Sequence, residues 1–384
     1  MFEYFKNNYA WNLAAVTLIE DVGTISEPAE AFAKVADMAA GDAELANAAW
    51  YDAMVALAER LERMGKEDLD IGRPLSAARK YHRAAMYLLR AERMISHHDA
   101  RRLATYKRAL ENYRAARQLG ADGVEFIDIP YKGGFIPAIF VPATIGKASP
   151  IIVHLQGFDS VKETQFPFLQ EYRRRGLSCL IVDQPGAGGA LRLHGLTVEV
   201  ETEHYVGVIL DYLEGRADTK TQAIGLAGIS MGGYFAPRAA AFEKRVKALA
   251  VWGAFFDFNR LLAHQAETAK ANEAPSVPNP SNHALWAFGV GSPQEIRAKA
   301  NAMTLEAVAG KITCPILVFH GESDRQVPVQ HAIDTYEAAG SKDKTLKIFT
   351  ADEGGVEHCQ IDNRAWAGDL MADWFAERLA AIEL

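Results

Sequence analysis

The sequence predicts an α/β protein, a mostly parallel eight-stranded sheet with helices on both faces, preceded by an all-helical N-terminal domain. Three observations predict it. Residues 1 to about 120 carry helical periodicity throughout, and from Gly123 onward short apolar runs alternate with helical patterns. Gly228-Ile229-Ser230-Met231-Gly232-Gly233 follows the apolar run Ala223-Ile224-Gly225-Leu226-Ala227 and precedes an Ala-rich run, 234–242, the order strand, tight turn, helix.

At 384 residues the chain is long for one domain, so a main domain with an accessory one is expected. The expected division is a helical domain over 1–120 and a core over 121–384. In the helical part Asp42 is a plausible N-cap. Trp50, Met54, Leu57, Leu61 and Met64 then recur at spacings of four and three, with Gly65 as a natural stop. Further helices are expected over about 75–96 and 100–119. Their shared look, Tyr81-His82-Arg83-Ala84-Ala85 against Tyr106-Lys107-Arg108-Ala109-Leu110, lacks the sustained period of a repeat array. The aromatic start (Phe2, Tyr4, Phe5, Tyr9, Trp11) reads as an anchor to a neighbouring helix, with a pocket or partner surface as the alternative. His97-His98, at a helix end, reads as solvated rather than as metal ligands.

In the core, 124–129 and 135–141 form a hairpin around Gly133-Gly134. Buried strands follow at Ile151 to Leu155, Leu177 to Val182, Ala223 to Ala227, Val246 to Trp252, Pro315 to Phe319 and Leu346 to Phe349. Between Phe258 and Lys311 no strand signal occurs. Pro275, Pro278, Pro280, Trp286 and Phe288 there suggest a lid-like insertion at about 258–311, or a surface excursion with its own small core.

Net charge is −8, and no Lys/Arg stripe with interleaved aromatics occurs, which argues against a nucleic-acid partner. Three cysteines, Cys179, Cys314 and Cys359, lack zinc-site spacing and leave no even disulfide set. The first residues lack a basic and apolar leader pattern, and no apolar run reaches membrane-spanning length. A cytoplasmic protein without cofactor, metal or membrane contact is expected, acting on a small molecule.

The chemistry concentrates at strand ends. Ser230 sits on a Gly-x-Ser-x-Gly turn, where small neighbours allow a strained, exposed nucleophile and the next helix aims its N-terminus at a developing oxyanion. After Val318-Phe319-His320, the loop 321–328 offers Asp324, with Glu322 as rival, to hold an imidazole. After the last strand, His358 in Asp352-Glu353-Gly354-Gly355-Val356-Glu357-His358-Cys359 can serve as general base. The order Ser230, Asp324, His358 is that of α/β-hydrolases. His320 and His154 read as core or strand-end histidines, and Cys359 as packing. The oxyanion donors are expected to be the N–H of Met231 and an N–H of Gly157 or Phe158. Ser160-Val161-Lys162-Glu163 reads as a capping box that opens the next helix, with Asp159 just before it. Trp252, Phe255 and Trp286 are candidates for contacting an aromatic substrate, with core packing as the alternative.

These residues carry a resemblance. The Ser230 elbow, Asp183-Gln184-Pro185-Gly186, Ser323-Asp324 through Val327-Pro328, and Glu357-His358-Cys359 with Met371-Ala372-Asp373-Trp374 resemble one α/β-hydrolase group. It includes 2,6-dihydroxypseudooxynicotine hydrolase and the fungal polyketide-shortening hydrolases, and the chain is also similar to the fermentation–respiration switch hydrolases. The resemblance implies a helical domain packed over the active site, a homodimer, and hydrolysis of a C–C bond next to a ketone, in a β-diketone or its vinylogous equivalent. It also implies a sharper role for Asp159, in proton transfer or in gripping the substrate. A carboxylic ester or lactone is the alternative substrate, and a catalytically silent hydrolase-fold protein that binds a partner is the alternative of another class.

Overall fold

A computed structural model describes residues 2–5, 8–144, 147–270, 280–380 and 382. The chain divides into two compact units, residues 1–124 with 269–286, and residues 125–268 with 287–384. Pro275 and Pro278 of the expected insertion lie outside the described residues.

The first unit is built on α1 (Tyr9–Val22), α2 (Ser26–Val35), α3 (Ala43–Asp70), α4 (Pro74–Glu92) and α5 (Ala100–Gly120). Asp42 caps α3 as expected, its Oδ1 accepting the Glu44 and Leu45 N–H groups at 3.0 Å. The aromatic start is an anchor. Asn12 grips Phe5 by both its N–H and its carbonyl at 2.8 Å, and Phe5 packs edge-on against Trp11 and Phe32. Trp50 completes that buried cluster.

Gly65 does not stop α3, which continues five residues to Asp70. A Cβ there would lie 3.1 Å from the Tyr81 ring of α4, so this glycine serves close helix–helix packing. His97 also differs from expectation: it stacks on Trp286 at 5.0 Å, while His98 is exposed.

The second unit holds β1 (Glu125–Tyr131), β2 (Gly134–Val141), β3 (Ser149–Leu155), β4 (Ser178–Val182), β5 (Thr219–Ile229), β6 (Val246–Trp252), β7 (Ile316–Gly321) and β8 (Lys344–Phe349). They form one sheet in the order β1-β2-β4-β3-β5-β6-β7-β8. The β1–β2 and β2–β4 pairs are antiparallel and the rest parallel. Strands β3 to β7 are nearly continuous apolar runs because helices cover both faces. The edge strand β8 instead carries Lys344 and Lys347, which discourage pairing with another chain. The remaining helices are α6 (Phe166–Arg174), α7 (Gly188–His194), α8 (Glu203–Glu214), α9 (Gly232–Phe242), α10 (Phe258–Lys270), α11 (Pro280–Phe288), most of which belongs to the first unit, α12 (Pro293–Ala302), α13 (Gln330–Ala338) and α14 (Arg364–Ala380). The expected insertion is therefore helical along α10 to α12. No helix among the described residues is long and apolar enough to cross a membrane.

His154, in the middle of β3, is fully buried, and neither ring nitrogen has a hydrogen-bond partner among the described residues. Burial pushes its pKa down to about 4. Its neutral form therefore contributes stability that is intact above the unfolded value of about 6.5 and is lost as pH falls toward 4. Between pH 7.5 and 5 this amounts to about 2 kcal/mol. Urea unfolding at the two pH values should show a smaller drop for His154→Leu than for the wild type; equal drops would discount the histidine.

Candidate active site

Ser230 stands between β5 and α9 with φ of +54°, in the left-handed region that non-glycine residues rarely occupy. Two glycines allow the turn. A Cβ on Gly228 would collide with the Gly232 carbonyl, and one on Gly232 would meet the Leu155 carbonyl of β3 at 2.5 Å. The Ser230 N–H donates to the Trp252 carbonyl at the end of β6 (2.7 Å), and Gly233 N–H returns to the Ser230 carbonyl (2.9 Å). The serine is held at the C-terminal edge of the sheet, part-exposed.

Asp324 follows β7 and is buried. Its Oδ1 accepts the Gln326 and Val327 N–H groups at 2.8 and 2.9 Å, an Asx-type turn. His358 lies across from it. His358 Nδ1 is 2.7 Å from Asp324 Oδ2, and His358 Nε2 is 2.9 Å from Ser230 Oγ. The three residues expected from sequence thus meet in one hydrogen-bonded run. Glu322, the rival acid, is exposed and accepts the Ala351 N–H.

His320 is a buried strand-end histidine, as expected, and it also reaches the same carboxylate. Its Nε2 lies 2.7 Å from the Val327 carbonyl and 3.1 Å from Asp324 Oδ2. Both are acceptors, so Nε2 carries the proton. Burial alone would raise the Asp324 pKa, but the His358 and His320 imidazoles hold it well below the usual carboxylate range. Burial likewise opposes charge on His358, but Asp324 outweighs it and raises the imidazole pKa.

The His358 loop is braced by residues the sequence reading passed over. Asp362 accepts the Gly355, Val356 and Glu357 N–H groups at 3.0–3.1 Å. Cys359 and Gln360 both have positive φ, 52° and 49°. Gln360 accepts the Trp252 indole N–H at 2.6 Å. Cys359 Sγ lies 3.4 Å from His358 Nε2, and burial pushes the thiol pKa up, which keeps it protonated.

Gly157, after β3, lies against the nucleophile: a Cβ there would come within 3.2 Å of Ser230 Cβ. Met231 begins the turn into α9. Gly157 and Met231 thus lie beside Ser230 on the two segments where oxyanion donors were expected, with Phe158 next in sequence to Gly157. The Ser160–Glu163 stretch is not a capping box. A 3₁₀ turn, Lys162–Gln165, precedes α6, and Glu163 is buried against the Lys162 ammonium at 2.6 Å. Asp159 is buried with φ of +69° and lies 3.9 Å from the buried Arg192 guanidinium of α7.

The aromatic candidates are mostly engaged in packing. Trp252 is fully buried and stacks on Phe319. Phe255 stacks between Tyr234 and Phe258. Trp286 belongs to the first unit, where it stacks on His97 and lies beneath the Arg102 guanidinium.

The model of the prolyl oligopeptidase family matches residues 174–380, more than half of the chain. The chain belongs to that family. It is an α/β hydrolase. The hydrolase is 28% identical over 376 residues to the α/β hydrolase psoB of Aspergillus fumigatus, covering 87% of this chain and 81% of psoB. It is 26% identical over 336 residues to the 2,6-dihydropseudooxynicotine hydrolase of Paenarthrobacter nicotinovorans, covering 86% and 85%. The crystal structure of 2,6-dihydroxy-pseudo-oxynicotine hydrolase superposes with a TM-score of 0.74 at 25% identity, over 86% of this hydrolase and 89% of that chain.

His320→Leu in the hydrolase leaves the Val327 carbonyl and one lone pair of Asp324 without their buried donor. Denaturant unfolding should register a loss of about 1–3 kcal/mol. His320→Gln, which can place a donor near the Nε2 position, should lose less. Equal stability of all three proteins would show the contact to be idle.

Proposed function

We propose that this α/β hydrolase uses Ser230, His358 and Asp324 as a catalytic triad. It cleaves a C–C bond next to a ketone in a hydrophobic or aromatic β-diketone or its vinylogous equivalent. The observation that carries the reading is the unbroken run Asp324–His358–Ser230, with contacts of 2.7 and 2.9 Å.

His358 Nε2 takes the Ser230 proton while Oγ attacks a carbonyl carbon. Asp324 keeps Nδ1–H of the imidazole in place and stabilises the imidazolium that forms. The Met231 N–H and an N–H of the Gly157–Phe158 loop receive the oxyanion. Collapse of the tetrahedral adduct breaks the bond to the carbon between the carbonyls, and the electron pair leaves as an enolate. His358 returns its proton to that carbon. Water, activated by the same imidazole, then releases the acyl group as a carboxylic acid. The sum is one diketone and one water giving one acid and one ketone. The choice of a carbon leaving group rests on the family resemblance, and likeness to 2,6-dihydropseudooxynicotine hydrolase supports it. An ester or lactone runs through the same acyl-enzyme with an oxygen leaving group. Asp159, paired with Arg192, is the proposed grip on the polar end of the substrate or an aid to proton transfer.

A fluorophosphonate probe should label the wild type and leave Ser230→Ala untouched. A folded wild type that resists the probe would leave a partner-binding protein as the better reading. In wild-type kcat/KM the acid limb should lie above pH 6.5, because Asp324 raises the base and only neutral His358 accepts the serine proton. Asp324→Asn should move that limb downward and lower kcat by about 10³–10⁴-fold. To separate the two leaving groups, Asp159→Asn is compared on a β-diketone and on an aryl ester. The larger loss is expected on the diketone, whose carbon leaving group needs more help with its proton; equal losses would remove Asp159 from the chemistry.

A further inference from the structure

The Asp183-Gln184 pair, just past β4, has no part in the reaction above, yet both side chains are buried and both reach sideways to the loop after β3. Gln184 Oε1 accepts the Gln156 N–H at 2.8 Å, and Gln184 Nε2 donates to the Gln156 carbonyl at 2.8 Å. The β3–β4 ladder ends at Leu155 and Val182. The glutamine side chain thus supplies both bonds that a strand neighbour would make, extending the ladder by one residue.

Asp183 holds the other end of the same loop. Its Oδ1 accepts the Lys162 N–H at 2.8 Å, and its Oδ2 accepts the Gly189 N–H at 2.7 Å and the Lys162 ammonium at 3.0 Å. A Cβ on Gly188 would collide with the Asp183 carboxyl, so the start of α7 closes tightly on it. Gly188 N–H also donates to the Ser160 carbonyl at 3.2 Å. Burial opposes charge on Lys162, but Asp183 and Glu163 more than restore it, and burial pushes the Glu163 carboxyl up. Lys162 is thus buried between two carboxylates, Glu163 at 2.6 Å and Asp183 at 3.0 Å.

We propose that Asp183 and Gln184 are positioning residues of the oxyanion loop, clamping residues 156 and 162 so that the N–H groups of Gly157 and Phe158 point at the oxyanion on Ser230. This rests on the triad reading above. Such donors act only when they stand at hydrogen-bond distance from where the oxygen will be, rather than from the ground-state carbonyl. A loop with glycine against the nucleophile has little rigidity of its own. The clamp supplies it from a neighbouring strand, through side chains that never touch the substrate.

Gln184→Met keeps the shape and removes both bonds. With p-nitrophenyl butyrate as substrate, kcat should fall about 10- to 100-fold with KM within about twofold, the pattern of a lost transition-state contact. An aryl trifluoromethyl ketone, whose adduct with Ser230 is an oxyanion, should bind weaker by the same factor, while inhibition by butyrate stays unchanged. Amide hydrogen exchange should quicken in 156–162. Asp183→Asn makes the same comparison through the Lys162 end should Gln184→Met not fold. Loss of thermal stability with wild-type kcat and ketone affinity would reduce the clamp to a fold contact and overturn the inference. Fluorophosphonate labelling separates the two failures: an unlabelled wild type removes the triad reading and the clamp together, a labelled wild type with unaffected variants only the clamp.

Discussion

The backbone of Ser230 is the constraint on which the rest of the site depends. A serine in the left-handed region is strained by about 1–3 kcal/mol and persists only where its surroundings leave no alternative. Here they leave none. The Ser230 N–H is tied to β6 through the Trp252 carbonyl, and Gly232 rides against the Leu155 carbonyl of β3. β5 lies between β3 and β6 in the sheet, so the two neighbours grip the turn from either side. A Cβ at Gly232 would press on β3, and one at Gly228 would collide with the turn itself. The same tryptophan passes the constraint on: its indole N–H holds Gln360, and with it the strained loop that presents His358. Nucleophile and base are thereby referred to one strand end, which keeps a 2.9 Å contact between residues 128 positions apart.

The electrostatics follow a similar economy. Asp324 is buried and carries a charge, which is tolerable only if its lone pairs are occupied. Two backbone N–H groups take one oxygen and two imidazoles take the other. The Asx-type turn, the strand-end His320 and the base itself thus share one carboxylate. Because His320 also binds the Val327 carbonyl, it reports on the turn and on the charge at once. Behind the oxyanion loop a second buried anion, Asp183, is satisfied in the same manner by two N–H groups and Lys162.

Much of this was legible in sequence because it is written in local pattern. Apolar runs between turn signals located all eight strands to within a few residues, and glycine spacing with strand ends located Ser230, Asp324 and His358. What escaped was tertiary. Gly65 looks like a helix stop until Tyr81 is known to lie against it. Ser160–Glu163 matches a capping box, but the buried Lys162 ammonium, itself held by Asp183, takes up Glu163. His320 is indistinguishable from an inert strand-end histidine, since its partner Asp324 is four residues on, around a turn whose shape no periodicity encodes. Trp252 and Trp286 had the right type for a substrate wall, yet each is used in packing within its own unit.

The pairing of Asp159 with Arg192 bears on which bond breaks. A guanidinium favours the charged form of a carboxylate beside it, and that form has no proton to give. On the triad reading, the proton that reaches a departing carbon then comes from His358, as it would for a departing oxygen. Carbon and oxygen leaving groups would therefore share nucleophile, base and oxyanion donors, and differ in what steadies the departing enolate until its carbon is protonated. An enolate oxygen calls for a cation or a strong donor, whereas an alkoxide protonated as it leaves does not. Arg192 is a buried cation beside Asp159 of the oxyanion loop, and it also donates to the Gly188 carbonyl. On the triad reading, selectivity between the two bond types would then rest outside the triad, with whatever meets the enolate oxygen.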